Sequence, residues 1–246
     1  MSYIKSAIKE IVAGSDLTRN MSCSVFGEIM NGRATPVQIG AFLTALRYKG
    51  ETSGELAGAV KAVRRKAVKV RAPGTVLDTC GTGGSGLNVF NVSTAVAFVA
   101  AGAGVKVAKH GNRSASSKCG SADVMEALGV NIDAPVRVTE RCLTEAGICY
   151  MYAPLYHKAM KYAAPPRREL GFRTIFNLVG PLSNPANVKY QVLGVYDARL
   201  TRLVAESLKE LGTKRAYIVH GMDGLDEVTI TGDTRISELK NGRVRD

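Results

Sequence analysis

Apolar residues in the first 70 positions recur at spacings of three and four, which is typical of amphipathic helices. The apolar face of the first predicted helix holds Ile4, Ile8, Ile11 and Val12. Further helices are predicted over 16–32, 35–50 and 52–70. The last two begin with Thr35 and Thr52, each followed three residues later by Gln or Glu, which is a capping-box pattern.

From residue 73 onward, short apolar runs alternate with helical stretches. The predicted strands are "TVLDTC", "VKVAKHG", "ICYMYA", "YQVLGVYD" and "RAYIVHG", with helices such as "STAVAFVAAGAG" between them. This alternation predicts an α/β domain in which a mainly parallel sheet carries helices on both faces.

The change of pattern predicts two domains. A small N-terminal helical domain occupies 1–72, and an α/β domain occupies 73–246, with part of 157–185 packing toward the helical domain. Apolar surface left over on the N-terminal helices makes them a candidate homodimer interface. A purely structural subdomain is an equal alternative.

Composition is that of a soluble globular protein, with 46% hydrophobic and 22% charged residues. The chain contains no apolar run long enough to span a bilayer and no visible secretory signal, so we expect a cytoplasmic protein without membrane contact. The five cysteines form no C-x-x-C pair, which argues against a zinc site or a disulfide framework. A net charge of +12 suits either nucleic acid or a deep site for a small polyanion such as a diphosphate.

A glycine-rich loop, "GTGGSGLNVFNVST" at 81–94, lies between a predicted strand and a predicted helix. Its main-chain N–H groups and the helix start can together surround an anion, although a tight structural turn is the alternative. No Gly-Lys-Ser/Thr follows, so it is not a Walker loop. Asn91, Ser93 and Thr94 offer oxygens at the helix start, either for capping or for phosphate and hydrated magnesium.

A second polar loop, "AKHGNRSASSKCGSAD" at 108–123, follows the next predicted strand. It combines Lys109 and Arg113 with several serines directly beyond an apolar strand. Cations and hydroxyls in this place predict an anion site rather than an inert loop.

Successive motifs then carry a family resemblance. They are "GTGG", "NVST", "KHGNRSASSKCGSADVMEALG", "HKAM", "RRELGFRTIFNLVGPLSNPA" and "VHGMDGLDEV". In order and spacing the chain resembles the anthranilate phosphoribosyltransferases over its whole length. "KHGNR" and "GSAD" are shared with pyrimidine nucleoside phosphorylases of the same fold, whereas "RTIFNLVGPLSNPA" is much more specific.

The resemblance implies that phosphoribosyl pyrophosphate and anthranilate give phosphoribosyl-anthranilate and pyrophosphate, an early step of tryptophan biosynthesis. Ribosyl transfer from a diphosphate passes through an oxocarbenium-like state. The protein must therefore hold two anions, neutralise the leaving diphosphate with Mg²⁺ and orient an amine, and no catalytic nucleophile is expected.

The resemblance also implies three groups of site residues. Phosphoribosyl pyrophosphate would contact Gly81, Thr82, Gly83, Gly84, Ser85, Asn91, Ser93, Thr94, Lys109 and Ser121. Anthranilate would contact Gly81, Asn112, His157 and Arg167, with the guanidinium suited to the carboxylate. Mg²⁺ would contact Ser93, Asp226 and Glu227.

The chain departs from the family pattern in several places. Ser85 replaces an Asp, Val89 replaces a Thr and Lys158 replaces a Pro. The first two changes predict weaker organisation of metal and diphosphate, so Ser85→Asp should raise activity. The sequence also ends within a β-rich region, which predicts a chain truncated at its C-terminus relative to the family.

Two other functions compete with this one. A nucleic-acid-binding relative of the same fold fits the +12 charge, but the retained Asp226, Glu227 and anthranilate residues argue against it, so we do not expect a nucleic-acid partner. A pyrimidine nucleoside phosphorylase is disfavoured by "RTIFNLVGPLSNPA".

Overall fold

The computed structural model describes residues 2–83, 89–114 and 119–246. Its helices are α1 (Tyr3–Val12), α2 (Arg19–Met30), α3 (Pro36–Lys49), α4 (Ser53–Lys66), α5 (Val92–Gly102), α6 (Ser121–Ala127), α7 (Val136–Glu145), α8 (Ala153–Tyr156), α9 (Ala164–Leu170), α10 (Phe176–Leu182) and α11 (Leu200–Glu210). A 3₁₀ helix at Lys158–Tyr162 lies between α8 and α9. Its strands are β1 (Val76–Gly81), β2 (Lys106–Gly111), β3 (Ile148–Tyr152), β4 (Tyr190–Gly194), β5 (Arg215–Gly221), β6 (Thr234–Lys240) and β7 (Arg243–Arg245).

The chain divides into two compact units. The helical unit comprises Met1–Ala67 and His157–Ser183, and the sheet unit comprises Val68–Tyr156 and Asn184–Asp246. The chain therefore leaves the sheet unit once, after α8, and returns to it at Asn184.

In the helical unit, the predicted capping boxes at Thr35 and Thr52 are both present. The Phe26 ring packs edge-on against Phe42, with centroids 5.8 Å apart, and against Phe176, with centroids 5.2 Å apart. The predicted burial of Val12 is wrong, since its side chain is 74% exposed. Val12 lies about 80° round α1 from Ile4, beyond the stripe that Ile4, Ala7 and Ile11 bury.

The sheet unit contains a seven-stranded sheet in the order β3-β2-β1-β4-β5-β6-β7. Neighbours from β3 to β5 pair in parallel, whereas β6 and β7 add an antiparallel edge. The fold class predicted from the alternating pattern is thus confirmed.

The connections leave the middle of the sheet in opposite directions. From β1 the chain runs through α5 to β2, and from β4 it runs through α11 to β5 on the other side. Because such crossovers are right-handed, α5 and α11 cover opposite faces of the sheet. The junction of β1 and β4 is therefore the topological switch point, beyond whose carboxyl ends ligands bind in sheets of this type.

Among the residues that the structure describes, no helix is both long and apolar enough to cross a membrane. All the cysteines are free: Cys23, Cys80 and Cys149 are buried, whereas Cys119 and Cys142 are exposed.

Candidate functional site

Two glycines at the ends of β1 and β4 let an acidic loop approach the main chain. A Cβ atom on Gly194 would lie 1.6 Å from the carbonyl oxygen of Asp226, and one on Gly81 would lie 2.9 Å from its Oδ2 atom. The same Oδ2 atom accepts a hydrogen bond of 3.0 Å from the Gly83 N–H. The glycines thus make room for part of the protein itself, and they place the Asp226 carboxylate at the switch point.

A buried lysine lies on the other side of β1. Lys109 is only 1% exposed, and its Nζ atom donates to the Thr79 carbonyl oxygen at 2.5 Å and to Ser93 Oγ at 3.2 Å. Thr79 Oγ1 in turn donates to the Ser93 carbonyl oxygen at 2.8 Å, which ties the start of α5 to β1. These contacts fix one ammonium group beside the first turn of a helix, where an anion is favoured.

Glu227 lies in the same cluster. Burial and the charge of Asp226 raise the pKa of its carboxyl to about 7, while Lys109 and a hydrogen bond from the Ser93 N–H oppose the rise. The structure therefore brings together Ser93, Lys109, Asp226 and Glu227, which are far apart in the chain. Two carboxylates in one partly buried place suit a divalent cation.

The donor set fits Mg²⁺ rather than a metal held by protein ligands alone. Within the described part of the chain, no group of three or more His, Cys, Asp and Glu side chains is placed to hold a metal ion. Mg²⁺ characteristically uses one or two carboxylates and completes its octahedron with water and substrate phosphates. Asp226 and Glu227 can supply these one or two carboxylates.

Other predicted residues of the glycine-rich loop make internal hydrogen bonds. Thr82 donates its N–H to the Gly194 carbonyl oxygen at 2.9 Å and accepts from the Tyr196 N–H at 3.0 Å. Thr94 is buried, and its Oγ1 atom donates to Asn91 Oδ1 at 2.6 Å. Asn91 precedes α5 without a side-chain cap. These contacts involve the described residues on either side of 84–88.

The second polar loop is organised around Ser121. Its Oγ atom donates to the Asn112 carbonyl oxygen at 3.4 Å and lies 3.0 Å from the Tyr150 hydroxyl oxygen. Arg113, which the sequence suggests as an anion ligand, instead pairs at 2.7 Å with both Asp123 and Glu126. These bonds raise the pKa of Arg113 and lower that of Glu126, while a hydrogen bond from the Gly120 N–H, together with Arg113, lowers the pKa of Asp123. Asn112 itself is exposed.

His157 and Arg167 belong to the helical unit. His157 is buried, and its carbonyl oxygen accepts from the Met160 N–H at 2.9 Å. The Arg167 guanidinium lies 5.0 Å from the centroid of the Phe176 ring, and burial lowers its pKa. Among the described residues Arg167 forms no ion pair, so it can accept a carboxylate from outside the protein.

Comparison with known proteins identifies the family. Residues 5–67 match the helical bundle domain of a glycosyl transferase family, and residues 73–246 match the α/β domain of that family. The chain is 57% identical over 244 residues to an anthranilate phosphoribosyltransferase of Acetivibrio thermocellus, covering 98% of this chain and 70% of the relative. It is 55% identical over 243 residues to that of Moorella thermoacetica, covering 98% and 72%.

The chain belongs to the anthranilate phosphoribosyltransferase family. The resemblance read from its motifs is thereby confirmed.

Solved structures of anthranilate phosphoribosyltransferases agree. The Thermus thermophilus enzyme superposes with a TM-score of 0.89 at 42% identity, covering 94% of this chain and 70% of that one. The Saccharomyces cerevisiae enzyme, solved in complex with PRPP and Mg, gives a TM-score of 0.87 at 30% identity, covering 96% and 72%. The chain thus spans about 70% of the length of these relatives.

Gly84 and Ser85, which the family resemblance predicts to contact phosphoribosyl pyrophosphate, lie outside the described residues. The departure at Val89 lies within them, and that side chain is 48% exposed.

Sequence reasoning missed Asp78 and Asn184, which are fully buried polar residues next to the Lys109 cluster. A signal for the first was available, because an Asp in the middle of an apolar strand, "TVLDTC", must find partners to be buried. Asn184 lies in the family-specific motif "PLSNPA", but nothing in this motif indicates which distant residues its side chain contacts.

Proposed function

We propose that this chain transfers the phosphoribosyl group of phosphoribosyl pyrophosphate to the amino group of anthranilate, in tryptophan biosynthesis. The products are N-(5-phosphoribosyl)anthranilate and pyrophosphate. The observation that carries the proposal is the cluster at the sheet end, where the buried Lys109 ammonium lies against Ser93 and near the carboxylate of Glu227, which in turn lies near that of Asp226. A cation and two metal-binding carboxylates suit a substrate that arrives as a magnesium diphosphate.

The residues of the sheet unit bind and orient the donor in this mechanism. The proposed contacts for phosphoribosyl pyrophosphate are Gly81, Thr82, Gly83, Gly84, Ser85, Asn91, Ser93, Thr94, Lys109 and Ser121. Lys109 offers a fixed positive charge whose desolvation strengthens its attraction for phosphate. Positioning and electrostatic stabilisation supply the rate enhancement, since the departure of diphosphate needs no protein nucleophile.

Ser93, Asp226 and Glu227 are the proposed Mg²⁺ ligands. When bound, Mg²⁺ neutralises charge that develops on the leaving diphosphate. Support comes from the fit of the two carboxylates and from the magnesium complex of the Saccharomyces cerevisiae relative.

Anthranilate is proposed to contact Gly81, Asn112, His157 and Arg167. Arg167 is the most informative of these residues, because its guanidinium is stacked on Phe176 and can meet a planar carboxylate with two parallel hydrogen bonds. A relative from Saccharomyces cerevisiae has been solved in complex with 4-fluoroanthranilate, which supports this choice of acceptor.

We further propose a cytoplasmic homodimer. The free cysteines, two of them exposed, suit a reducing compartment. On the helical unit, Val37 is 81% and Tyr48 is 95% exposed, so α3 presents apolar side chains that a second copy can cover. Sedimentation equilibrium of the wild type and of Tyr48→Ser tests the dimer, which the substitution should weaken.

The decisive experiment follows the loss of anthranilate fluorescence with phosphoribosyl pyrophosphate and Mg²⁺. We expect turnover that stops when Mg²⁺ is chelated. Arg167→Lys should raise the KM for anthranilate about tenfold by removing the bidentate contact, while the neighbouring exposed Arg168→Lys should leave it unchanged. Folded protein that consumes no anthranilate but binds DNA tightly at low salt would contradict the proposal.

A further inference from the structure

Main-chain pairing between β1 and β2 stops before the end of the sheet that holds the Lys109 cluster. Their pairing consists of Val76↔Lys106 and Leu77↔Val107 and then stops. The outer neighbours stay paired further along, since β1 runs with β4 as far as Gly81↔Gly194 and β2 runs with β3 as far as Gly111↔Tyr152. The loss of main-chain pairing is therefore confined to the β1–β2 boundary in the middle of the sheet.

Two buried side chains replace the missing ladder. Asn184 Nδ2 donates to the Ala108 carbonyl oxygen and to Asp78 Oδ2, each at 2.9 Å. Asp78 Oδ1 accepts from the His110 N–H at 3.3 Å. Main-chain groups of β2 thus bond to side chains in the part of β2 that no longer pairs with β1. Asp78 is completely buried and Asn184 is 1% exposed, and the hydrogen bonds described for both side chains are made within the protein.

Lys109 uses the same opening. Its ammonium donates to the carbonyl oxygen of Thr79, which lies in β1 just beyond the last paired residue. If the two strands continued to pair, this carbonyl oxygen would be engaged with the main chain of β2. The absence of main-chain pairing at this point is therefore what allows Lys109 to be anchored on β1 while it also reaches Ser93.

We propose that Asp78 and Asn184 are positioning residues of the phosphoribosyl pyrophosphate site. They take the place of main-chain pairing between β1 and β2, and this leaves the Thr79 carbonyl oxygen to hold the Lys109 ammonium, which also reaches Ser93. The inference rests on the proposed function for its link to the substrate, whereas the effect on Lys109 is independent of that function.

The first test is chemical labelling of lysine amines followed by mass spectrometry. Asn184→Ala removes both donor contacts, and we expect Lys109 to react about tenfold faster, since loss of hydrogen bonds to a charged network loosens its anchoring. Thr139→Val is the matched control, because it removes a different buried hydrogen bond in the sheet unit, 2.9 Å long, between Thr139 and Tyr156. The control should leave labelling of Lys109 unchanged.

The second test is steady-state kinetics at a temperature where circular dichroism shows each variant to be folded. Asn184→Ala should raise the KM for phosphoribosyl pyrophosphate about tenfold and leave the KM for anthranilate within about twofold. Adding Asn184→Ala to Lys109→Ala should cost little more than Lys109→Ala alone, because both act through the same ammonium. If Asn184→Ala does not fold, Asp78→Asn, which keeps the side-chain shape, takes its place in both tests.

The outcomes are separable. If the wild type shows no turnover but Lys109 is labelled faster in Asn184→Ala, the proposed function is contradicted and the positioning role is supported. Unchanged labelling together with an unchanged KM in a folded variant would overturn the positioning role, as would full additivity with Lys109→Ala.

Discussion

At the end of the sheet that holds the candidate site, β1 is bonded to its two neighbouring strands in different ways. Toward β2, main-chain pairing gives way to hydrogen bonds from polar side chains, namely those of Asp78, Asn184 and Lys109. Toward β4, the strands stay paired, and room beyond them is made by the absence of side chains at Gly81 and Gly194. One seam positions a cation, and the other positions the Asp226 carboxylate.

This difference indicates how substitutions would disrupt each half of the cluster. Polar contacts between strands can be weakened gradually, because each hydrogen bond contributes a modest net free energy. A glycine that faces a main-chain atom allows no such gradation, since a Cβ atom either fits or displaces the backbone.

Gly194→Ala should have the largest effect. Its Cβ atom would lie 1.6 Å from the Asp226 carbonyl oxygen, so the acidic loop must move as a whole. We expect kcat/KM to fall by about 100-fold or more, because displacement by an ångström costs this much in an oriented site. The fluorescence assay measures the loss. Gly232→Ala is the control, since nothing lies within 4 Å of its Cβ position; an equal loss there would contradict the argument.

Asp78→Asn should change how stability depends on pH. Burial raises the pKa of Asp78 to about 6 from 3.8, although Lys109 and Asn184 oppose the rise. The native protein therefore binds this proton more tightly than the unfolded chain, so the contribution of Asp78 to stability is full below about pH 4 and is lost as the pH rises through 6. The free energy of unfolding of the wild type, relative to Asp78→Asn, should fall by roughly 2 kcal/mol between pH 4 and 7.

Urea unfolding of both proteins across that range measures this difference. Glu227 titrates in both proteins, so subtraction removes most of its contribution. Parallel curves for the two proteins would show that Asp78 is not the group responsible.

Gly81→Ala should be milder than Gly194→Ala. Its Cβ atom would meet the Oδ2 atom of Asp226 at 2.9 Å, and a side chain can rotate where a main chain cannot. We expect about a tenfold higher Mg²⁺ concentration for half-maximal rate, with a loss of about 1 kcal/mol in stability. Measuring the rate at increasing Mg²⁺ concentrations tests this prediction. An effect equal to that of Gly194→Ala would contradict the distinction between a clash with a side chain and a clash with the main chain.

Glu126→Gln should have the smallest effect. Glu126 pairs with Arg113 on the surface, with side chains 45% exposed on both residues. Exposed ion pairs contribute little because water and salt screen them. Thermal unfolding should show no measurable shift and the rate no change; a clear loss of either would give the second loop a larger role than its exposure indicates.

Much of the fold could be predicted because its signals are local. The helix starts at Thr35 and Thr52 follow from side chains three residues apart, and the strand-helix alternation predicts the parallel sheet. The burial of Val12 was predicted wrongly because a single helix does not show how wide a stripe its neighbours will cover.

The candidate site was reached through motifs, and its residues at Ser93, Lys109, Asp226 and Glu227 do lie together. The prediction for Arg113 was limited because the composition of a loop shows that it is cationic but not which cations pair with acids of the same protein. Arg113 pairs with Asp123 and Glu126.

By itself, the sequence determined the elements, the family and the positions able to carry charge near a phosphate. Only the tertiary structure decided that Asn184 bonds to Asp78 across 106 positions of the chain and that Gly194 faces Asp226. The physical reason is that periodicity and capping act over a few residues, whereas these contacts depend on where β1 and β2 stop pairing and on where the chain re-enters the sheet unit.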